Sequence, residues 1–237
     1  MNLFFLVEGR STEMRLYPKW IEYYFPEFTR VSVAEDAKNN NYYIVNGNGN
    51  PGIYKNEHIK QCIEVINELG RYDFFIIALD SEEFSVEDTI GHVESKLAEL
   101  CNQGIYLDSG KVKDVVIVQE RCIESVLLGN NKLVKLADSD SILGEYLKYY
   151  DIFSQNPEKM GRLTFNTHAQ FHKEYLKCLL KSNGMKYSES HVKNVGTPEY
   201  FSSLMERNKS NSDELKTIGK LMKVFEGIKK EMSLNAV

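Results

Sequence analysis

No segment of these 237 residues is a long uncharged apolar run, so a membrane-spanning helix is not expected. Met1–Val7 lacks the basic start and small-residue cleavage site of a secretory leader, and the chain reads as cytoplasmic. Cysteine is scarce, with four residues at 62, 101, 122 and 178 and no C-x-x-C pair. That argues against a zinc framework and against disulfides, and leaves reduced, mostly buried thiols. Neither H-E-x-x-H nor the P-loop lysine and hydroxyl pattern is present. Ser11, Ser81 and Ser125 have no histidine partner recognisable in the sequence, which disfavours a Ser–His hydrolase. There is no internal repeat.

The chain has enough apolar residues, 42%, and aromatics, 11%, to bury a sizeable core in one large domain or one domain with an appendage. The net charge of −5 is unevenly spread. Residues 1–158 hold 15 Lys and Arg against 26 Asp and Glu, whereas residues 159–230 hold 14 against 7. An acidic front and a basic back suit a metal site beside a surface that holds phosphates. Lysines coating solvated helices are the plainer reading.

Leu3–Val7 is a short apolar run that reads as a buried strand entering Glu8-Gly9. Ser11 or Thr12 then caps a helix to about Tyr24, with Glu13 in its first turn. Thr29–Ala34 and Tyr42–Val45 read as short strands. Asn46-Gly47-Asn48-Gly49-Asn50-Pro51-Gly52 is dense in turn formers and reads as a mobile loop, with phosphate contact a lesser option. Glu57–Leu69 has helical spacing and Gly70 ends it. Asp73–Leu79 is the most continuous apolar run and predicts a central parallel strand covered on both faces, ending in Asp80-Ser81-Glu82-Glu83. A helix from Val86 to about Leu100, capped by Ser85, leads to a loop over 104–113. A third core strand, Val115–Val118, ends in Gln119-Glu120-Arg121, and a helix follows with Ile123 and Glu124. The alternation predicts an α/β fold over 1–138. Helices near 141–150, 169–182, 198–207 and 213–232 make 139–237 a basic helical region.

Glu8, Asp80 with Glu82, and Glu120 with Glu124 all stand at strand ends. If those strands are neighbours, the acids converge at the carboxyl edge of the sheet, where ligands bind in open α/β folds. Packed carboxylates repel, and a cation relieves them. Oxygen ligands select Mg²⁺, Mn²⁺ or Ca²⁺ over zinc. The alternative is separate caps and surface charges. His168 and His172 share a helical face; without a third ligand they read as surface or phosphate-contacting residues. Lys173 either stabilises a charged transition state or is solvated. Tyr175, Tyr187 and Tyr200, set among lysines, either stack bases or fill a core.

Phe5-Leu6-Val7-Glu8-Gly9 followed by Ala78-Leu79-Asp80-Ser81-Glu82 resembles the TOPRIM fold of topoisomerases, primases and OLD-type nucleases. In that family a glutamate after the first strand and a D-x-D after a later one bind Mg²⁺. Glu8 and Asp80 match; Glu82 stands where the second aspartate is expected. Glu120–Leu128 is similar to the I/F-E-x-W-L-L segment of RloB-like proteins and of the TOPRIM effector of PARIS-type phage-defence systems. Glu124 matches its acid and Val126 replaces its tryptophan. Glu13 lies one position late for a second acid of the first motif. The likeness covers roughly residues 3–128.

The resemblance implies a Rossmann-like TOPRIM sheet and a Mg²⁺- or Mn²⁺-dependent nuclease, with Glu8, Asp80, Glu82 and Glu124 as ligands and Lys173 as a further candidate. It implies DNA or structured RNA such as tRNA as substrate, anti-phage defence, and restraint by an ABC-type ATPase. A homodimer is left open. The reading from a different class is a non-catalytic TOPRIM-like module that regulates such an ATPase. A nucleotide-binding α/β protein is a third, resting on the Asn/Gly loop.

Overall fold

A computed structural model describes all residues except 50–52, 54–56, 109, 135–137, 139–140 and 235–237. It has the expected α/β architecture: a five-stranded, all-parallel sheet flanked by helices. In chain order the first part runs β1 (Asn2–Val7), α1 (Thr12–Tyr24), β2 (Thr29–Arg30), a 3₁₀ turn (Ala34–Asp36), β3 (Asn41–Asn46), α2 (His58–Leu69), β4 (Phe74–Asp80), α3 (Val86–Asn102) and β5 (Lys113–Gln119). Then follow α4 (Ile123–Leu127), α5 (Ile142–Tyr149), a second 3₁₀ turn (Pro157–Lys159), α6 (His168–Ser182), α7 (Pro198–Ser210) and α8 (Lys216–Leu234). Among the described residues no helix is long and apolar enough to cross a membrane.

The chain packs as two units that interleave in sequence. One comprises Met1–Leu79, Val86–Val118 and Val224–Val237; the other comprises Asp80–Ser85 and Gln119–Lys223. The sequence reading drew a single boundary at residue 138 instead.

In the first unit the strand order is β2-β3-β1-β4-β5. β1 is parallel to β3, with Val7 opposite Asn46, and to β4, with Val7 opposite Ala78. Strand side chains alternate faces. Phe4 and Leu6 therefore join Phe75, Ile77 and Leu79 under Ile59, Ile63 and Ile66 of α2 and Val93 of α3. Phe5 faces the other way, its ring 6.1 Å from Tyr17 of α1. Both faces are covered, so Leu3–Val7 and Phe74–Leu79 are apolar rather than alternating. Each buried Leu, Ile or Phe contributes about 1.5–3 kcal/mol relative to exposure. After β1 the chain builds outward to β2 and β3 on one side, then returns to β4 and β5 on the other. That reversal marks the carboxyl ends of β1 and β4 as the crevice of a doubly wound sheet.

Several local expectations change. β2 is two residues long, not the six of Thr29–Ala34. Ser11 precedes α1 but makes no side-chain cap bond. Gly70 does end α2 in the left-handed conformation, as its lack of a side chain allows. The Asn/Gly loop is partly an extension of the sheet. The N–H of Gly47 donates to Val7 O at 2.7 Å and that of Gly49 to Glu8 O at 2.9 Å. These two amides are therefore spent on the sheet rather than turned toward a phosphate. Residues 50–52 of the loop lie outside the described residues.

The four expected helices are present as α5 to α8, the first three in the second unit and α8 divided between the two at Val224. Tyr146, Phe165, Phe171 and Tyr175 form an aromatic cluster with ring centroids 5.1–6.4 Å apart. Buried Glu158 accepts from the N–H groups of Lys216, 2.7 Å, and Thr217, 3.1 Å. A carboxylate there satisfies the open amides and the positive end of α8. Tyr175, Tyr187 and Tyr200 are buried, so core packing holds and base stacking does not.

Candidate functional site

The first unit brings Glu8, Gly9, Glu13 and Asn46 to one end of the sheet. Glu8 follows the last residue of β1 and is only 6% exposed. Its N–H donates to Ala78 O at 2.9 Å, which continues the β1–β4 ladder through the acid and fixes its backbone. Glu13, in the first turn of α1, is also buried. A Cβ on Gly9 would lie 2.1 Å from a carboxylate oxygen of Glu13. A side chain at position 9 would therefore have to displace the Glu13 carboxylate. Asn46 ends β3, opposite Val7. Its Oδ1 is buried and has no hydrogen-bond partner among the described residues. The sequence reading treated Asn46 only as a turn former. The signal for more was its place at the end of a strand, in register with the strand that carries Glu8.

The second unit gathers another set. Asp80 follows Leu79 directly as the last residue of β4. The turn after it is knotted to the end of β5: Ser81 N–H donates to Gln119 O, and Glu82 N–H to Arg121 O at 2.8 Å. Arg121 N–H in turn donates to Ser81 Oγ at 2.8 Å, and its guanidinium to Glu82 O at 3.1 Å. Glu82 and Arg121 both adopt positive φ, +49° and +70°, a costly conformation for residues with side chains. Burial raises the Glu82 carboxyl above its ordinary range, and neighbouring Glu83 adds to this. Glu83 instead faces α6, accepting from His168 N–H at 2.9 Å and pairing with its Nδ1 at 2.7 Å.

Glu124 is 6% exposed in α4 and accepts from the Tyr187 hydroxyl at 2.7 Å. Burial raises its carboxyl, while Tyr187 and the charge of Lys173 pull the other way. The Cys122 thiol is raised well above its usual range, first by burial and then by the charges of Glu124 and Asp80. Asp80 and Glu124, named together from sequence, thus flank one thiol. Lys173 pairs with Glu189; burial alone would lower its ammonium, but that bond and the charges of Glu189, Glu124 and Glu174 together raise it. Glu120 pairs with Lys159 at 2.5 Å. Among the described residues, no group of three or more His, Cys, Asp or Glu side chains is set to hold a metal.

No protein-family profile, curated protein or solved structure matches this chain. The case for a function therefore stands on the residues themselves.

Two sequence readings are corrected. His172 is fully buried rather than at the surface, and His168 is engaged by Glu83. Ser125, read as lacking a histidine, lies 2.6 Å from His172 Nδ1. The 47-residue separation hid the pair. His172 Nε2 faces the carbonyls of Met160, 3.2 Å, and Gly161, 3.1 Å, so Nε2 carries the proton and Nδ1 accepts from the serine. Ser125 is itself fully buried, and the pair pins α6 to α4 rather than presenting a nucleophile.

Burial lowers the His172 imidazole from its ordinary 6.5 to about 4. The unfolded chain takes up this proton near pH 6.5 and the folded chain only near pH 4. Stability from this residue is therefore complete above pH 6.5 and falls by about 3 kcal/mol as pH drops toward 4. Urea unfolding between pH 7 and 4 should show a steeper acid loss for wild type than for His172→Gln. Parallel profiles would refute the assignment.

Proposed function

We propose that this protein is a metal-dependent phosphodiesterase of TOPRIM type acting on DNA or on structured RNA such as tRNA. One observation carries the reading. Buried Glu8 and the Oδ1 of Asn46, buried without a hydrogen-bond partner among the described residues, stand at the ends of paired parallel strands, at the reversal point of the sheet. Two such oxygens fit a hard divalent cation, which neutralises one and coordinates the other. Magnesium needs few protein ligands and takes the rest from water and phosphate. The resemblance names Asp80 and Glu82 as the family's second acidic motif. A bound Mg²⁺ or Mn²⁺ would activate water and stabilise the departing phosphate oxygen. This chain's own task is to hold the ion at the sheet edge and the strand against it. The defence role and the ABC-type ATPase partner rest on the resemblance alone.

Labelled plasmid, single-stranded DNA and tRNA, each incubated with the protein in Mg²⁺, Mn²⁺ or EDTA, provide the test. Cutting with metal and none with EDTA is expected. Metal-independent cutting, or no metal binding by calorimetry, would overturn the proposal.

Nucleic-acid affinity is expected to come from residues 159–230 and to weaken as salt rises from 50 to 200 mM, on the order of 10³-fold for six phosphate contacts. Pairs such as Lys159–Glu120, Lys177–Glu174 and Lys216–Asp213 withhold part of this charge. A flat dependence in a filter-binding titration would make the region a solvated surface.

A non-catalytic regulatory module is the second reading. Its support is that Glu124 is already held by Tyr187 and Lys173 by Glu189.

A further inference from the structure

After α6 the chain of the second unit makes a tight turn that reaches back to two helices at once. Ser188 and His191 pair across it, with His191 N–H donating to Ser188 O at 2.8 Å. Glu189 and Ser190 are left as its exposed tip. Tyr187, just before the tip, is buried and donates its hydroxyl to Glu124 of α4. Glu189, two residues on, pairs with Lys173 of α6. We propose that Glu189 occupies at Lys173 the place of a backbone phosphate, and that a nucleic-acid strand binds by displacing the Glu189 carboxylate. For the kind of ligand this rests on the function proposed above, whose regulation it supplies.

The two contacts of the turn differ in how firmly they hold. The Tyr187–Glu124 bond, 2.7 Å long, joins residues only 8% and 6% exposed. Breaking it strips a donor from a buried carboxylate, which is costly. The base of the turn is held further by buried Val192 and Val195 and by the Asn194 amide, which donates to Lys186 O at 3.0 Å. The Lys173 and Glu189 side chains are instead 31% and 51% exposed. An ion pair so open to water is screened and contributes little, so an incoming anion replaces one partner at small cost. The tip therefore exchanges while the base stays in place.

The exchange conserves charge. A phosphodiester carries one negative charge and accepts hydrogen bonds through two free oxygens, as the Glu189 carboxylate does. The Lys173 ammonium is a compact charge on a flexible stem and follows either anion. Three acids act on it: Glu189, Glu124 and Glu174. Glu124 is bonded to Tyr187, and Glu174 is paired with Lys177 at 2.6 Å. Glu189 is the acid whose release breaks neither of these bonds.

Fluorescence anisotropy of a labelled single-stranded oligonucleotide, titrated with the full chain in EDTA at 50 to 200 mM salt, tests the proposal. Glu189→Gln keeps the size of the side chain and removes the charge that holds Lys173. It should tighten binding about 5-fold and make log Kd steeper in log salt by about one unit, as Lys173 gains a full phosphate contact. Glu199→Gln, at an exposed position of α7, makes the same change in net charge and should alter binding less than about 2-fold. In a Lys173→Ala background, Glu189→Gln should have no effect. A purely structural pair would behave differently: its loss would lower the melting temperature and leave affinity unchanged. Equal affinity of wild type and Glu189→Gln, a gain matched by Glu199→Gln, a gain that persists in the Lys173→Ala background, or no binding by any of these proteins would each overturn the inference. EDTA removes the metal, so the result is separate from that of the cleavage assay.

Discussion

Replacing Arg207 with alanine should destabilise the second unit by about 3–5 kcal/mol, the cost of stripping one partner from a buried charged network. Arg207 is 5% exposed in α7. Its Nε pairs with Glu214 at 2.5 Å, and its terminal nitrogens donate to Gly129 O at 3.2 Å, Ile152 O at 2.9 Å and Gln155 O at 2.8 Å. One planar fork thus ties α7 to the segment after α4, to the chain after α5, and to the turn before α8. Alanine takes from three carbonyls the donors that Arg207 gave them and leaves half-buried Glu214 with the Asn211 amide at 3.3 Å, each loss a desolvation cost. Lysine keeps the charge but cannot reach four acceptors at once, so Arg207→Lys should recover only part of the loss. Urea denaturation followed by near-ultraviolet circular dichroism reads both variants. A loss below about 1 kcal/mol for Arg207→Ala would show that the network is not structural.

Glu8→Gln should lower metal-dependent cutting at least about a hundredfold. Groups one shell out from a metal already cost 10- to 100-fold when removed, and a direct ligand costs no less. Gln has the size of Glu, and the bond from Glu8 N–H to Ala78 O is made by backbone, so the fold should persist. Asn46→Ala should act in the same direction by deleting the neighbouring oxygen. Asp80→Asn tests the acid on β4 in the same assay. Mn²⁺ affinity, measured by electron paramagnetic resonance, supplies a readout apart from activity. Wild-type cutting and Mn²⁺ affinity in a well-folded Glu8→Gln protein would sink the metal assignment.

The strands and helices were legible because their signals are local. Leu3–Val7 and Phe74–Leu79 are apolar without alternation, which is what a parallel strand covered on both faces requires. Gly70 ended α2 where a left-handed residue was needed. Thr29–Ala34 failed as a strand because edge pairing is decided by a partner, and β3 supports only Thr29 and Arg30. Glu8 and Asp80 could be named because each stands at the end of such a run. Asn46 could not, since only three-dimensional packing reveals that its buried Oδ1 has no hydrogen-bond partner among the described residues.

The α/β class, the order of elements and the acids at the strand ends are legible along the chain. These follow from periodicity and from residues adjacent in the chain. The tertiary structure alone decided which polar residues are paired and which remain available. Arg207 counted as one more basic residue of the C-terminal region, yet it is buried among four acceptors. Ser125 and His172 looked unrelated and form one buried pair. Glu124 and Lys173, both site candidates, are engaged by Tyr187 and Glu189. The physical reason is common to all of these. Burial makes an unsatisfied polar group costly, and the partner that relieves it comes from wherever the fold brings the chain together, not from a fixed spacing in sequence.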